Sequence, residues 1–246
     1  MARKYKTLGT KKRKYTFVTT MNQNYYDLCG KRMIDTFLEY ADPSFELCVI
    51  AEDVASRFDN RIKVYDWNYI CKLDWQNFCN KTNNNKEQKF AKKGFAFLYS
   101  LKNIGTHKLI WLDSDIIFHN KFDSSIIENT IKNKMIGLFD HKYLGDKGYS
   151  AESGYVILDK KHIKYQNFVD KYEMYYIMET KPEQIQRWYD GQVCMLAASH
   201  FEKYVLDLSA YKYEHVETHT PLNHCPLNYY FTHNKGPEKK KWYNNK

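Results

Sequence analysis

The segment KLIWLDSDIIF, residues 108–118, constrains the fold more than any other part of the chain. Its apolar run 109–112 suits a strand covered on both faces of a sheet, where charge is tolerated only as the strand emerges into a crevice. Asp113 and Asp115 follow at that point. In an extended backbone residues i and i+2 point to the same side, so both carboxylates are expected to converge on one hard cation, which prefers oxygen ligands. Asp-Ser-Asp is also a common turn and N-cap sequence, so the pattern alone leaves a structural role open.

A second motif lies far from the first in the sequence. His233, Gly236 and Lys239 have the spacing His-x-x-Gly-x-x-Lys. A neutral imidazole is a competent ligand for Mn²⁺, a glycine lets the backbone approach a phosphate closely, and an ammonium supplies a point charge to it. The two motifs together predict a clamp for a metal and a diphosphate. A histidine in a basic segment is also commonly just solvated, which leaves a second interpretation of His233.

In this order the two motifs resemble those of nucleotide-sugar glycosyltransferases with the GT-A fold. The second is similar to that of the family-8 members, the glycogenin-like and galactosyltransferase-like enzymes. The resemblance implies one α/β domain with a Rossmann-like, mostly parallel central sheet flanked by helices. It implies a site for Mn²⁺ or Mg²⁺ and a nucleotide-sugar donor of the UDP-sugar type, and the second motif favours retention of the sugar's configuration. The metal ligands would be Asp113, Asp115 and His233, and the donor contacts would include Ser114, Gly236 and Lys239.

Hydrophobic periodicity predicts alternating strands and helices through the first half of the chain, which is typical of a mostly parallel sheet with helices on both faces. The predicted strands are 15–20, 46–51, 61–65, 109–112, 135–139 and 155–158. The predicted helices are 25–41, 68–80, 86–102, 124–133, 162–178 and 191–200.

Ligands of such sheets bind beyond the carboxyl ends of the strands. Thr19 and Thr20 at the end of the first predicted strand, and Asp53 after the second, are at that edge, and the GT-A resemblance implies that they hold the nucleoside. Residues 18–22 together with 30–33 resemble the opening of a group of glycosyltransferase-like proteins, several of them phage-encoded. A pair of threonines at a strand end also has an ordinary structural explanation.

The helix 86–102 carries Lys89, Lys92 and Lys93 just before the aspartate strand. Glycogenin-type enzymes often place a basic residue from this region on the donor, so the resemblance suggests Lys92 or Lys89 for that role. A helix face that bears lysines is usually only solvated, which is the alternative.

Two further segments resemble elements of the family-8 sugar pocket. Glu152-Ser153-Gly154 is similar to Asn-Ala-Gly, and its departures from that pattern leave the donor sugar open. Asp190-Gly-Gln192 is similar to Asp-Gln-Asp. The resemblance thus implies catalytic roles for Asp190, Glu152 and Gln192, with Asp190 contacting the acceptor hydroxyl or the transferred sugar. Helix N-capping is an ordinary explanation for Asp190 and Ser153.

The net charge of +9 is concentrated at the two ends of the sequence. Residues 1–14 contribute +7 and residues 234–246 contribute +4, which leaves −2 for the part between them. The sequence is therefore divided into a basic arm, 1–14, and a glycosyltransferase domain with a basic tail, 15–246. Basic ends favour a polyanionic acceptor, such as modified DNA or an anionic glycan, or serve only as solubilising segments.

The sequence contains neither an apolar run long enough to span a bilayer nor a signal-peptide pattern, so a cytoplasmic location is expected, in the host cytoplasm if the protein is viral. The six cysteines lack Cys-x-x-Cys spacing and are expected to be reduced.

Two other classes of function stay open. A sugar-phosphate nucleotidyltransferase shares the sheet and the metal chemistry, but its glycine-rich loop follows the first strand, whereas Gly9 precedes it here. A non-enzymatic nucleic-acid-binding protein would use the basic ends and the 22 tyrosines.

Overall fold

The computed structural model describes residues 13–56, 58–140, 151–185, 187–209 and 221–234. Its strands are β1 (Arg13–Asn22), β2 (Glu46–Glu52), β3 (Ile62–Asp66), β4 (Thr106–Leu112), β5 (Ile116–Phe118), β6 (Ile136–Asp140), β7 (Ala151–Asp159), β8 (Val205–Asp207) and β9 (Phe231–His233). Its α-helices are α1 (Gln23–Tyr25), α2 (Lys31–Tyr40), α3 (Trp67–Ile70), α4 (Lys72–Cys79), α5 (Asn85–Asn103), α6 (Ser124–Ile131), α7 (Tyr165–Ile177) and α8 (Asp190–Ser199).

Seven strands form one sheet in the order β3-β2-β1-β4-β7-β6-β8, and β5 pairs with β9 in a separate antiparallel ribbon. Within the seven-stranded sheet β7 runs antiparallel to both of its neighbours, and the other strands share one direction. The predicted single-domain architecture, a mostly parallel sheet flanked by helices, is confirmed. The reversed strand is important for the site because its amino end lies at the carboxyl edge of the others.

Both faces of the sheet are covered, which explains the apolar runs in the sequence. Along β2, Leu47 and Val49 face a core layer shared with α2 and α6. Cys48 and Ile50 face the opposite layer, shared with α3, α4, α5, α7 and α8. The charged side chains of β2, Glu46 and Glu52, are accordingly at the two ends of that strand.

Four predicted elements differ from the structure, and one of them, the predicted helix 68–80, is divided at Cys71 into α3 and α4. The predicted helix 25–41 is divided, because a π-helical turn at Tyr26–Gly30 separates α1 from α2. The first strand extends from Arg13 to Asn22, so it begins inside the predicted basic arm. The last predicted strand starts earlier, at Ala151, which places Glu152 to Gly154 inside β7. Residues 1–12 of the arm and 235–246 of the tail lie outside the described residues.

The short strands β5, β8 and β9 were not predicted. Each has three residues, which is too short for a hydrophobic period to be recognised. Over the described ranges, no helix combines the length and the apolar character that crossing a bilayer requires.

Candidate metal and donor site

The Asp-x-Asp segment forms a turn between β4 and β5. The backbone N–H of Ile116 donates to the carbonyl of Asp113 at 3.2 Å, which closes the turn around Ser114. The predicted extended geometry of this segment is therefore wrong, because the chain turns where alternation along a strand was expected. Asp113 and Asp115 nevertheless converge, since both carboxylates approach the same imidazole ring.

That ring belongs to His233, which the β5–β9 ribbon brings to the aspartates. Ile116 is paired with His233 across the ribbon, and the backbone N–H of Asn234 donates to the carbonyl of Asp115 at 3.1 Å. The side chain of Asn223 fixes the backbone of His233 from the other side. Its Oδ1 accepts from the His233 N–H at 2.7 Å, and its Nδ2 donates to the His233 carbonyl at 3.0 Å.

The imidazole of His233 is fully buried and lies among three carboxylates. Nε2 is 2.9 Å from Asp115 Oδ1 and 3.6 Å from Asp113 Oδ2, and Nδ1 is 3.9 Å from Glu152 Oε1. Despite these short distances, neither ring nitrogen makes a hydrogen bond of acceptable geometry with the described residues. A buried polar ring without such bonds is costly, and a metal ion would satisfy it.

The reversed strand β7 contributes the third side of this cluster. The N–H of Asp113 donates to the carbonyl of Gly154 at 2.8 Å, and the N–H of Gly154 donates to Glu152 Oε1 at 2.9 Å. A Cβ at position 154 would lie 2.3 Å from Cε1 of His233 and 2.8 Å from Glu152 Oε1. Glycine is therefore required here by the close approach of the histidine ring to the strand.

The composition of the cluster suits a divalent cation. Asp113, Glu152 and His233 each offer one ligand atom, and these atoms lie within 4.8 Å of one another. Asp115 adds a fourth ligand atom, and the third oxygen, against the same ring. Carboxylates with one imidazole match the ligand preferences of Mn²⁺, and Mg²⁺ would use the oxygen ligands.

Lys93 of α5 places an ammonium beside these acids. Its Nζ is 2.6 Å from Asp113 Oδ1 and 3.0 Å from Asp190 Oδ2, and it donates to Ser153 Oγ at 3.0 Å. Burial alone would lower the pKa of Lys93, but the carboxylates of Asp113 and Asp190 outweigh it and hold the pKa above its ordinary value. Burial raises the pKa of Asp113, with a further contribution from Asp115, against the opposing effect of Lys93.

Sequence reasoning selected a different lysine. Lys92 forms an ion pair with Glu52 at the end of β2, and its ammonium lies 5.1 Å from the ring centroid of Trp67 and 4.8 Å from that of Trp75. Lys89 is exposed. Side chains at neighbouring helical positions point in directions about 100° apart. To choose among the three lysines, one must know which side of the helix faces the sheet edge.

Asp190 is the first residue of α8 and is buried, with Tyr189 as the N-cap. A cavity of about 10 Å³ lies beside it, lined by Lys93, Ser153 and Asp190 on one side and by apolar side chains of β4, β7, α5, α7 and α8 on the other. Gln192 is buried, and its Oε1 accepts from the backbone N–H of Arg187 at 2.9 Å. This contact gives Gln192 a structural function in the loop before α8.

The predicted nucleoside contacts lie on β1 and just beyond β2. Thr19 is fully buried within β1, which continues to Asn22, so its predicted position at the strand end is wrong. Thr20 is half-buried and donates its hydroxyl to the carbonyl of Ile50 at 2.8 Å. Asp53 is exposed just beyond β2, with a φ of 56° and a hydrogen bond from Asn68 Nδ2 at 2.9 Å.

The remaining predicted donor residues are Ser114, Gly236 and Lys239. Ser114 is buried in the turn, with its hydroxyl 3.8 Å from the thiol of Cys29. Gly236 and Lys239 lie outside the described residues, so the second half of the His-x-x-Gly-x-x-Lys motif stays a prediction.

The strand order, the reversed strand and the acidic cluster at the carboxyl edge define a class of fold. The chain adopts the fold of the GT-A glycosyltransferases.

Three solved structures illustrate the likeness. Galactosyltransferase LgtC, in complex with donor and acceptor sugar analogues, matches with a TM-score of 0.56 and 12% identity over 90% of this chain and 87% of that one. The bifunctional glycosyltransferase WbbM matches with a TM-score of 0.54 and 14% identity over 82% of this chain, which spans 40% of WbbM. Mouse xyloside xylosyltransferase 1 matches with a TM-score of 0.50 and 11% identity over 79% of this chain and 85% of that one. No protein-family model and no curated protein sequence matches the chain.

Proposed function

We propose that this protein is a divalent-metal-dependent glycosyltransferase that moves a sugar from a nucleoside diphosphate, of the UDP-sugar type, to an acceptor hydroxyl. The observation that carries the proposal is the convergence of Asp113, Asp115, Glu152 and His233 on one point of a GT-A sheet. These residues come from three separate parts of the chain. A buried histidine surrounded by carboxylates has no evident structural purpose, since its ring nitrogens gain no well-formed hydrogen bonds there.

The reaction breaks the bond between the anomeric carbon and the diphosphate oxygen, and it forms a bond between that carbon and the acceptor oxygen. Negative charge accumulates on the departing diphosphate. Mn²⁺ or Mg²⁺, held by Asp113, Asp115, Glu152 and His233, would supply an electrophilic partner for that charge. The predicted contribution of Lys239 is a second positive charge on the same side.

Asp190 and Lys93 act on the sugar side of the site. The ammonium of Lys93 lies 3.0 Å from Asp190 Oδ2 and fixes the direction of this buried carboxylate. Asp190 then accepts a hydrogen bond from a hydroxyl of the transferred sugar or of the acceptor. Glu152 is the weaker candidate for that contact, because its Oε1 already accepts from the N–H of Gly154 and approaches His233.

The His-x-x-Gly-x-x-Lys spacing supports transfer with retention. In that case the acceptor hydroxyl gives its proton to the oxygen of the departing diphosphate, and no separate protein base is required. In an inverting reaction Asp190 would take the proton as general base.

The test is Mn²⁺-dependent hydrolysis of a panel of nucleotide sugars, detected as free nucleoside diphosphate. The wild type should release UDP from one donor, and Asp115→Asn should lower the rate at least a hundredfold. Asp170→Asn is the matched control, because Asp170 is exposed on α7 and bonds only Gln166 among the described residues. Equal rates in the wild type and Asp115→Asn, or no metal-dependent release from any donor, would contradict the proposal.

The same assay separates the alternatives. Pyrophosphate released from UTP and a sugar phosphate would indicate a nucleotidyltransferase. Salt-sensitive nucleic-acid binding that persists in Asp113→Asn, without any turnover, would indicate a binding protein.

A further inference from the structure

An exposed pair of aromatic rings stands beside Asp190. The rings of Phe90 on α5 and Tyr189, the N-cap of α8, have centroids 4.2 Å apart and an interplanar angle of 39°. Phe90 is 40% exposed and Tyr189 is half-buried. A large ring left in contact with water beside a polar site is a candidate for ligand stacking.

The direction of α5 places this pair outside the sheet edge. The helix runs antiparallel to β4, and Lys93 reaches the residue that follows β4. Residues 85–92 therefore extend beyond the carboxyl edge by about 12 Å, at a rise of about 1.5 Å per residue. Phe90 lies in this projecting part, and Tyr189 immediately precedes Asp190. The pair thus lies close to Asp190, at the carboxyl edge of the sheet.

The pair faces away from the predicted nucleoside side. Lys92 points to Glu52 at the end of β2. Phe90 is two positions away on the same helix, which is a rotation of about 200°. Since α8 packs on β7, the ring pair lies on the β7 side of this edge, where the donor nucleoside is not expected.

Two exposed cations accompany the rings. The guanidinium of Arg187 lies 5.7 Å from the ring centroid of Tyr189, and its Nη1 is 3.3 Å from the Tyr189 hydroxyl. Lys89 lies one helical turn before Lys93, next to Phe90. Across the ranges that the structure describes, neither cation is paired with a carboxylate. Two unpaired cations around an aromatic face complement a ligand that combines a ring with a negative charge.

We propose that Phe90, Tyr189, Arg187 and Lys89 form the acceptor subsite, and that the acceptor is a saccharide that bears a carboxylate, such as a uronic-acid-containing glycan. A pyranose ring presents its C–H face to Phe90, and the carboxylate contacts Arg187 and Lys89. Among ligands that combine a ring with a negative charge, the proposed glycosyl transfer favours a saccharide. This inference rests on the proposed glycosyl transfer for the identity of the ligand as an acceptor.

The test is direct binding to the full chain, without metal or nucleotide sugar, measured by calorimetry at low and moderate salt. The probes are a hyaluronan tetrasaccharide, the neutral cellotetraose and a short oligothymidylate. The charged tetrasaccharide should bind at least tenfold more tightly than cellotetraose, and salt should reduce the difference. Phe90→Ala should weaken its binding about tenfold, and Arg187→Ala should remove most of the preference for the charged probe.

Matched controls lie at the opposite edge of the sheet. Ile163→Ala removes a large exposed apolar side chain, and Lys161→Ala removes an exposed cation, both just after the end of β7. Both variants should bind the charged tetrasaccharide like the wild type. Circular dichroism of every variant checks that the fold is retained.

Equal binding of the two saccharides, or no effect of Phe90→Ala, would overturn the proposal. If oligothymidylate binds more tightly than either saccharide, and Phe90→Ala abolishes that binding, the ligand of this subsite is a nucleic acid and the saccharide proposal is wrong. Because binding is measured without a donor, its failure is separate from a failure of donor hydrolysis. Donor hydrolysis without saccharide binding would contradict only the proposed acceptor subsite. Saccharide binding without donor hydrolysis would contradict the proposed glycosyl transfer.

Discussion

The two carboxylate oxygens of Asp113 face different partners. Oδ1 is 2.6 Å from the ammonium of Lys93, and Oδ2 is 3.6 Å from Nε2 of His233. One carboxylate is thus shared between a fixed cation of α5 and the imidazole of the candidate metal site. Lys93 therefore neutralises part of the acidic cluster before any metal binds, and it leaves Oδ2 as the oxygen directed to a metal.

We expect Lys93→Met to destabilise the metal-free protein by about 3 kcal/mol, because it leaves the largely buried carboxylates of Asp113 and Asp190 without their cation. Saturating Mn²⁺ should restore a large part of this loss by supplying positive charge to the same acids. Urea denaturation with and without Mn²⁺ measures both effects.

Lys92→Met is the control for this experiment. Lys92 precedes Lys93 on the same helix but pairs with Glu52, and both partners are partly exposed. Its removal should cost about 1 kcal/mol or less, and the cost should not depend on Mn²⁺. An equal response of the two variants to Mn²⁺ would show that Lys93 has no special relation to the metal site.

Gly154→Ala should weaken Mn²⁺ binding by about 10-fold to 100-fold, because the new Cβ would displace the ring of His233. Titration followed by electron paramagnetic resonance of free Mn²⁺ measures the affinity. Gly105→Ala is the matched control, since a Cβ there meets no atom within 4 Å. Unchanged affinity in Gly154→Ala would mean that His233 is not a metal ligand.

Glu87 connects α5 to the loop that precedes Asp190. Its buried carboxylate accepts from Thr82 Oγ1 at 2.8 Å, from Lys181 Nζ at 3.1 Å and from the backbone N–H of Trp188 at 3.3 Å. Glu87→Ala should lower the free energy of unfolding by about 2–3 kcal/mol, since it leaves the buried N–H of Trp188 unsatisfied and removes an acceptor from Thr82 and Lys181. Thermal and urea unfolding measure this change.

The exposed Glu183→Ala, in the same region of the chain, is the control for Glu87 and should change the stability by less than about 0.5 kcal/mol. If both variants unfold like the wild type, the three hydrogen bonds of Glu87 do not stabilise the loop that precedes Asp190.

The buried thiols predict a loss of stability in alkaline solution. Burial raises the pKa of Cys71 and that of Cys194 to about 12, from an ordinary value of 9.0. The unfolded thiols ionise above pH 9 whereas the folded ones stay protonated. The unfolded state therefore binds fewer protons, and the free energy of unfolding falls as pH rises from about 9 to 12.

At pH 10 we expect a loss of about 1 kcal/mol per thiol. Denaturation at pH 7.5 and pH 10 measures it. The difference between the wild type and the double variant Cys71→Ala, Cys194→Ala isolates the two thiols from other groups that titrate. Identical pH dependence of the two proteins would exclude the thiols as its source.

Much of the fold could be predicted from the sequence because the central strands are covered on both faces. Such strands are continuous apolar runs, as in β2 and β4, and the carboxylates after β4 mark its exit from the core. The direction of β7 could not be predicted. Its apolar residues suit a parallel strand equally well, and only pairing with β4 and β6 fixes the reversal.

Sequence reasoning selected the acidic residues and the histidine of the candidate site from their type and spacing. It missed Lys93, because the sequence does not reveal which side of α5 faces the site. Asp113, Asp115 and His233 were expected together, and the structure brings them together. Lys92 and Lys93 are the same residue type, so the sequence alone does not distinguish their roles. A rotation of about 100° about the helix axis places Lys93 beside the carboxylates of the candidate site and Lys92 beside two tryptophans. Thr19 was placed at a strand end because the extension of β1 to Asn22 has little apolar character.

The position of His233 in the chain has a consequence for how the candidate site is completed. All seven strands of the large sheet precede residue 209, whereas β9 follows it. The large sheet and its acidic edge therefore contain no residue of β9, and His233 reaches that edge only when β9 pairs with β5. Lys93 of α5 lies beside Asp113 and Asp190 independently of that pairing, whereas the candidate metal site gains its imidazole from it.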